Sequence, residues 1–212
     1  MTAFLLSVTA ILAYFLGGIN GAAIASRFVF HKRLLKPRSG ETRIGTCFRS
    51  FGLRGVLLIF GVDIVKSILA VVIGQLLMLI DGQPNIGKLF AGFCLIMGHM
   101  YPMLYKLRGG RGALCGAVVA LMFDWRVGLG CIAVFFIVVV FSRFTALGTL
   151  FAAFFSPLFI WMTGYETLEG LIALLIAGVF TVRHADSILR ILGGTEQRLV
   201  LKNNNAYGKR EF

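Results

Sequence analysis

The chain has 212 residues, of which 58% are hydrophobic and only 14% are charged, and its formal net charge is +12. A soluble domain carries charge on about a quarter of its residues, so this composition excludes a soluble enzyme and indicates a multi-pass membrane protein. Basic residues collect in the cytoplasmic loops of such proteins, beside anionic lipid headgroups. We therefore expect membrane lipids as partners, and no nucleic acid.

Seven apolar stretches divide the chain, most of them long enough to cross a bilayer as a helix. They cover residues 3–26, 53–80, 88–105, 113–123, 127–141, 144–162 and 170–182. The first is interrupted by the run Gly17–Gly21, and the fourth and fifth are short. No polar segment is long enough for a separate soluble domain, so we predict a single all-α transmembrane domain over residues 1–212.

Loop charges predict the orientation of these seven helices. With the basic loop 27–54 in the cytoplasm, only Lys88 and Arg126 of the 21 Lys and Arg residues fall on the opposite side, and Lys66 lies within a span. The positive-inside rule then places the N-terminus outside and the C-terminus in the cytoplasm. If the fourth and fifth stretches formed a single helix, the cations of the tail would lie outside the cell, against the positive-inside rule. We therefore predict two separate helices.

The central loop, residues 98–112, carries three cations and three glycines within its last seven positions. Glycine lets backbone amides approach a ligand closely, and the N-terminus of the following helix favours anions. This pattern suits a phosphate group, although an ordinary basic loop at a helix end remains the alternative. The candidate phosphate-binding residues are Lys106, Arg108, Gly109, Gly110, Arg111 and Gly112.

Two other polar segments lie on the same predicted membrane face. Ser39, Gly40 and Arg49 in the first basic loop offer donors to an anion, or belong to a solvated loop that leads into a helix. In the tail, His184 is a candidate general base because its pKa lies near neutrality, or an inert side chain at the interface. The apolar positions in residues 188–192 predict a short amphipathic helix after it.

Ionisable side chains also occur within the spans. Asp63 and Lys66 lie one turn apart, so they can pair with each other or contact a substrate. His99, within the third span, is like His184 either a candidate general base or an inert side chain. The four cysteines have no metal-ligand spacing and read as small core residues. The sequence has no HExxH motif, carboxylate pair or Walker loop either, so we expect no metal and no nucleotide cofactor.

In combination, these segments resemble the bacterial acyl-phosphate:glycerol-3-phosphate acyltransferases (PlsY). Family members read Gly-His-x-Phe-Pro and then Gly-Gly-Lys-Gly where this chain has Gly98–Pro102 and Gly109–Gly112. The tail from His184 to Glu196 follows the family's His-x-x-Asn-Ile-x-Arg-Leu-x-x-Gly-Thr-Glu. Further positions that fit the family pattern are Ser39, Gly40, Arg49, Gly52, Asp63, Lys66 and Ser142-Arg143-Phe144.

The resemblance implies seven spans in the bacterial inner membrane and transfer of a fatty acyl group from acyl phosphate to the 1-hydroxyl of glycerol 3-phosphate. The product, lysophosphatidic acid, feeds phospholipid synthesis, and no cofactor is implied. The catalytic residues implied are Ser39, Arg49 and His184, with His184 orienting or deprotonating the acceptor hydroxyl. The substrate-binding residues implied are Gly40, Lys106, Arg108, Gly109, Gly110, Arg111, Gly112, Ser142 and Glu196, of which Glu196 is expected to fix the tail loop.

Departures from the family pattern fall in the polar segments. Glu41 and Arg43 replace an amide and a glycine of the first loop, Arg111 replaces a lysine, Ser187 an asparagine and Ala146 a serine. They leave two alternatives open. One is an enzyme of the same fold with a changed acceptor, and the other is a non-catalytic membrane protein that binds phospholipid headgroups or a partner.

Overall fold

A computed structural model describes residues 1–32, 35, 43–103 and 109–196, with the backbone only for 43 and 44. Within these ranges the chain is helical, without strands. The helices are α1 (Thr2–Gly18), α2 (Gly21–Ile24, continued by a π-helix over Ala25–Val29), α3 (Arg43–Leu79), α4 (Pro84–Met100), α5 (Ala113–Phe123), α6 (Trp125–Ser142), α7 (Thr145–Met162), α8 (Thr167–Arg183) and α9 (Ala185–Leu192).

The second half of the chain agrees closely with the predicted elements. Helix α5 has the predicted bounds, and α6 to α8 begin and end within three residues of theirs. Gly112 enters α5 with φ +77°, a conformation that glycine adopts without strain, and Asp124 caps α6 by accepting a hydrogen bond from the Arg126 amide at 2.7 Å. The amphipathic helix predicted in the tail is confirmed as α9, which ends before Gly193.

The first half differs from the prediction at two breaks. Helix α1 stops at Gly18 because Ile19 is extended, and the Asn20 side chain then caps α2 by accepting from the amides of Ala22 and Ala23. Helix α3 begins ten residues earlier than the predicted span, and Gly52 bends it with φ +67° and ψ −162°. The predicted third span also ends early, since α4 stops at Met100.

The helices are those of a multi-pass membrane protein. Within the described ranges three are long and apolar enough to cross a bilayer: Gly45–Leu79, Trp125–Ser142 and Thr145–Met162. Two bent pairs, α1 with α2 at 45° and α8 with α9 at 54°, raise the number to five if each pair is one span. Large apolar side chains on α6, including Phe136 and Phe141, point away from the protein, as expected beside lipid. The count of seven and the orientation stay predictions.

Glycines bring α1, α3 and α4 into close contact. A Cβ atom on Gly98 would overlap the Tyr14 carbonyl oxygen, and one on Gly17 would overlap that of Leu95. Gly74 of α3 and Gly87 of α4 face each other in the same way. Small residues allow such approach between helices in lipid. The packing places the broken end of α1 beside the middle of α3 and the end of α4.

Candidate active site

A cavity of about 800 Å³ runs along α5, and residues of α6, α7 and α8 also line it. Its lining includes α5 residues from Ala113 to Phe123, a separation of about 15 Å at the α-helical rise. Apolar side chains such as Val119, Ile132 and Ile176 form most of its walls. The polar side chains in its lining include Asn20, Asp63, His99, Arg111, His184 and Glu196. Arg111 directly precedes α5, and Glu196 lies 3.7 Å from it. The shape suits an amphiphile with a polar group at one end.

The glycine loop before α5 is held from two sides. The amide of Gly109 donates to the Met100 carbonyl at 3.1 Å, and that of Gly110 donates to the His99 carbonyl at 3.0 Å. From the other side Arg183 donates to the carbonyl oxygens of Gly109 and Gly110, at 2.8 and 3.1 Å. Its guanidinium carbon also lies 5.6 Å from the centre of the Tyr101 ring. The loop conformation is therefore fixed before any ligand binds.

These hydrogen bonds leave fewer backbone amides of the glycine loop available to a phosphate group than the sequence predicted. The amides of Gly109 and Gly110 already donate to carbonyl oxygens, so they cannot also bind a phosphate without leaving those partners. Among the residues that the structure describes, the donors that remain at this end include Arg111 and the first-turn amides of α5. A helix leaves such amides without intrahelical acceptors, and Gly112, at the cap position, has no side chain to bind them. Both features favour an anion at this position.

Arg111 is linked to the tail through Glu196. One carboxylate oxygen lies 3.7 Å from Arg111 Nη2, and the other accepts a hydrogen bond from Arg190 Nε at 2.6 Å. Arg190 Nη2 donates to Ser187 Oγ at 3.0 Å. Burial lowers the pKa of Arg111, and Glu196 opposes that shift. Together with Arg183, this group holds three guanidinium ions against one carboxylate, so it keeps a net positive charge.

His184 lines the cavity and has one ring nitrogen without a hydrogen-bond partner among the described residues. The residue is 1% exposed and lies in the turn between α8 and α9. Its Nδ1 is 2.9 Å from the Phe180 carbonyl oxygen, which can only accept, so Nδ1 carries the hydrogen. Nε2 is buried and meets no hydrogen-bond partner among the described residues. Burial lowers the pKa of His184, and the charges of Arg111 and Arg183 act in the same direction. The neutral ring therefore offers Nε2 as an acceptor.

Asp63 and Lys66 form the ion pair that their spacing predicts, with Lys66 Nζ 2.7 Å from Asp63 Oδ1. The ammonium also donates to His99 Nδ1 at 2.8 Å and to the Ile19 carbonyl at 2.9 Å. Atoms of Asp63, His99 and Cys115 that could bind a metal lie within 4.8 Å of one another. The ammonium of Lys66 touches two of these three groups and repels a cation there, so this cluster is an ion-pair network and does not fit a metal.

Two predicted site residues lie apart from the cavity lining. Ser142 Oγ donates to the Val138 carbonyl at 2.6 Å and accepts from the Phe144 amide at 3.2 Å, so it stabilises the end of α6. Arg49, half-buried before the bend of α3, is not among the described residues that line the cavity. The predicted residues that lie outside the described ranges are Ser39, Gly40, Lys106 and Arg108.

Sequence reasoning missed the role of Arg183 and the link from Lys66 to His99. Arg183 counted only as a tail cation, because its partners lie 73 and 74 residues earlier in the chain. Its position directly before His184 was the single local signal.

Comparison with known proteins agrees with this architecture. The family model described as glycerol-3-phosphate acyltransferase matches residues 7–194. Proteins named glycerol-3-phosphate acyltransferase from Thermoanaerobacter sp. (strain X514) and Streptococcus agalactiae serotype Ia are each 31% identical, over 96 and 93 residues. The alignments cover 45% and 44% of this chain and 46% and 43% of the relatives. The match thus spans less than half the length of these curated relatives.

Two crystal structures share the fold. One is PlsY (YgiH), an integral membrane glycerol 3-phosphate acyltransferase, in its glycerol 3-phosphate form, with a TM-score of 0.76 at 24% identity. The other is the lysophosphatidic acid form, with a TM-score of 0.75 at 22% identity. Each comparison covers 91% of this chain and 94% of the other. With the family match over residues 7–194, these findings show that the chain belongs to the glycerol-3-phosphate acyltransferase family.

Proposed function

We propose that this protein transfers a fatty acyl group from acyl phosphate to the 1-hydroxyl of glycerol 3-phosphate and so forms lysophosphatidic acid. It does so as one seven-helix domain in the bacterial inner membrane, with the N-terminus outside and the site at the cytoplasmic face. The observation that carries the proposal is His184, which lines a mostly apolar cavity and whose Nε2 is a buried acceptor.

The cavity offers one region for the fatty acyl chain of acyl phosphate and another for its phosphoryl group. Its apolar walls along α5 offer a place for a fatty acyl chain out of water. The start of α5, with Arg111 beside it, offers donors and positive charge for the phosphoryl group. An acyl phosphate bound in this way has its carbonyl carbon where the apolar and polar parts of the cavity meet.

His184 would bind the acyl acceptor, glycerol 3-phosphate. The hydroxyl of glycerol 3-phosphate donates a hydrogen bond to Nε2, which aims the oxygen at the acyl carbonyl carbon. The oxygen forms the new ester bond, and the bond from that carbon to the phosphate oxygen breaks. Inorganic phosphate leaves, and the hydroxyl proton passes to Nε2 or to the departing phosphate. Because the mixed anhydride is already activated, positioning and charge neutralisation supply the catalysis.

The test is transfer from palmitoyl phosphate to labelled glycerol 3-phosphate by the purified protein in a lipidic phase, without acyl-CoA or carrier protein. We expect labelled lysophosphatidic acid and one inorganic phosphate for each molecule formed. Tyr165→Phe is a suitable control, since it removes a hydroxyl that bonds Asp124 beyond the other end of α5. A folded protein that forms no product would overturn the proposal. Product with a different polyol phosphate alone would overturn the acceptor assignment.

A further inference from the structure

We propose that Phe123 limits the length of the fatty acyl chain that the cavity holds, so that this residue selects among acyl phosphates. The inference rests on the proposed acyl transfer, since it names the chain length that the donor must have. Three observations carry it. Phe123 is the last residue of α5 in the cavity lining, lining residues of four other helices belong to the same buried cluster, and charged groups lie directly beyond it.

Phe123 is the lining residue of α5 that lies farthest from Arg111. Arg111 directly precedes the helix, and Phe123 is its last residue. The lining residues Ala113 and Phe123 are separated by about 15 Å at the α-helical rise. The hydrocarbon core of a bilayer is about 30 Å thick and holds two layers of acyl chains, so one chain of a membrane lipid reaches about 15 Å. A chain of this length, with its phosphoryl group beside Arg111, therefore extends as far as Phe123.

Four other helices each contribute a buried residue to this end of the cavity. Helices α5 and α6 meet at Asp124, and residues 163–166 join α7 to α8. Helices joined by such short turns run antiparallel, so both turns lie on the same side of the protein. The lining residues closest to this side are Leu89 of α4, Phe123 of α5, Val127 of α6, Ile160 of α7 and Ala173 of α8. Each is at most 3% exposed, and all five belong to one cluster of buried residues. We therefore place the closed end of the cavity here, with Phe123 as its largest side chain.

Charged groups lie directly beyond Phe123. Lys88 Nζ donates to the Phe123 carbonyl at 3.4 Å, and the Asp124 carboxylate accepts a hydrogen bond from the Tyr165 hydroxyl at 3.0 Å. The Tyr165 ring packs against Phe123, with 4.6 Å between the ring centres. A methylene group that passed Phe123 would displace this ring and would take water from the two charged groups, which is unfavourable. The end of α5 therefore disfavours chains longer than the cavity.

The first test opens the closed end. Palmitoyl phosphate and icosanoyl phosphate compete in one reaction, and mass spectrometry counts the two lysophosphatidic acids. In Phe123→Ala we expect the ratio of icosanoyl to palmitoyl product to rise about tenfold, since even one methylene in an apolar pocket changes selectivity by that much. A loss of folded protein lowers both rates and leaves the ratio unchanged.

Phe154→Ala is the matched control for this test. Phe154 lies on α7 and is 69% exposed, so the same substitution there should leave the product ratio at the parent's value. A product ratio in Phe123→Ala equal to that of the parent and of Phe154→Ala overturns the inference.

The second test shortens the cavity. Ala120 lines the cavity one helical turn before Phe123. Ala120→Leu fills that turn with a residue that favours a helix, so in competition between lauroyl and palmitoyl phosphate we expect the product ratio to shift about tenfold toward lauroyl. An unchanged ratio would show that the chain does not follow α5 to Phe123. It would instead leave the cavity past Phe136, a lining residue that is 59% exposed.

Binding of alkyl phosphates separates this inference from the proposed reaction. Hexadecyl phosphate and icosyl phosphate carry an alkyl chain and a phosphoryl group but no acyl carbon to transfer, and a ligand that binds the folded protein raises its Tm. If the parent transfers no acyl group, but hexadecyl phosphate raises its Tm more than icosyl phosphate does and Phe123→Ala removes that difference, the reaction fails and the length limit stands. If the parent forms lysophosphatidic acid equally from palmitoyl and icosanoyl phosphate, the length limit fails and the reaction stands.

Discussion

Arg183 Nη2 donates a hydrogen bond to the carbonyl oxygen of Gly109 at 2.8 Å, across 74 residues of chain. With the bond from Nε to the Gly110 carbonyl, it ties the end of α8 to the loop that precedes α5. His184 follows Arg183 directly, and Arg111 follows Gly110. One side chain thereby sets the distance between the proposed acceptor of the hydroxyl proton and the proposed anion site.

We expect Arg183→Met to lower kcat/KM about 10- to 100-fold, because two charge-assisted bonds to the loop are lost. Arg183→Lys should recover only part of the activity, since one ammonium cannot reproduce the fork of the guanidinium. The measurement is steady-state acyl transfer, with gel filtration to confirm folding. Equal activity in Arg183→Met and the parent would show that the loop keeps its conformation without the two hydrogen bonds from Arg183.

His184→Phe should lower kcat about 10²- to 10⁴-fold, the range that general base catalysis contributes. The substitution fills the buried site with a ring of similar shape but removes the acceptor Nε2. Single-turnover transfer from palmitoyl phosphate measures the chemical step directly. A loss of less than about threefold would assign the orientation of the hydroxyl to another group.

The pH profile should reflect a histidine that resists protonation. Burial lowers the pKa of His184 from its ordinary value of 6.5, so the neutral, accepting form persists to a lower pH than in an exposed histidine. We expect kcat/KM to be level near pH 7 and to fall only below pH 6.5 as the ring gains a proton. Measurement of kcat/KM from pH 5 to pH 8 checks this. An acidic limb with its midpoint above pH 6.5 would falsify the assignment to His184.

Close packing of α1 against α4 predicts a difference between two glycines. Gly98→Ala places a Cβ against the Tyr14 backbone, which cannot move without shifting α1, and overpacking of this kind costs about 1–3 kcal/mol. Gly61→Ala is the matched control, since a Cβ there meets nothing within 4 Å and alanine favours a helix. Thermal unfolding in detergent should show a lower Tm for the first variant and an equal or higher Tm for the second.

The predicted orientation can be tested by thiol labelling in intact cells. The four native cysteines are buried, whereas Gln83 and Gly193 are exposed. A membrane-impermeant maleimide should label Gln83→Cys from outside and should label Gly193→Cys only after the cells are opened. The reverse pattern would contradict the orientation that the loop charges predict.

Local features of the chain predicted much of this fold. The bounds of α5 follow from Gly112 and Asp124, which flank an apolar run, and the Asp63–Lys66 pair follows from a spacing of one helical turn. Side chains that form hydrogen bonds within their own helix were harder to interpret from the sequence. Ser142 resembled a ligand-binding residue, but its hydroxyl bonds the Val138 carbonyl four residues earlier.

The membrane class, most helix positions and the family resemblance could be predicted from the amino-acid order, because hydropathy, helix-ending residues and motif spacing are local properties. Which hydrogen-bond donors remain for a ligand could not be predicted, because that depends on how the helices pack. Packing brought carbonyls to the amides of Gly109 and Gly110, placed Arg183 on the glycine loop and set Lys66 against His99. Apolar helices in lipid associate through shape and a few polar contacts, and those contacts join residues that are far apart in the chain.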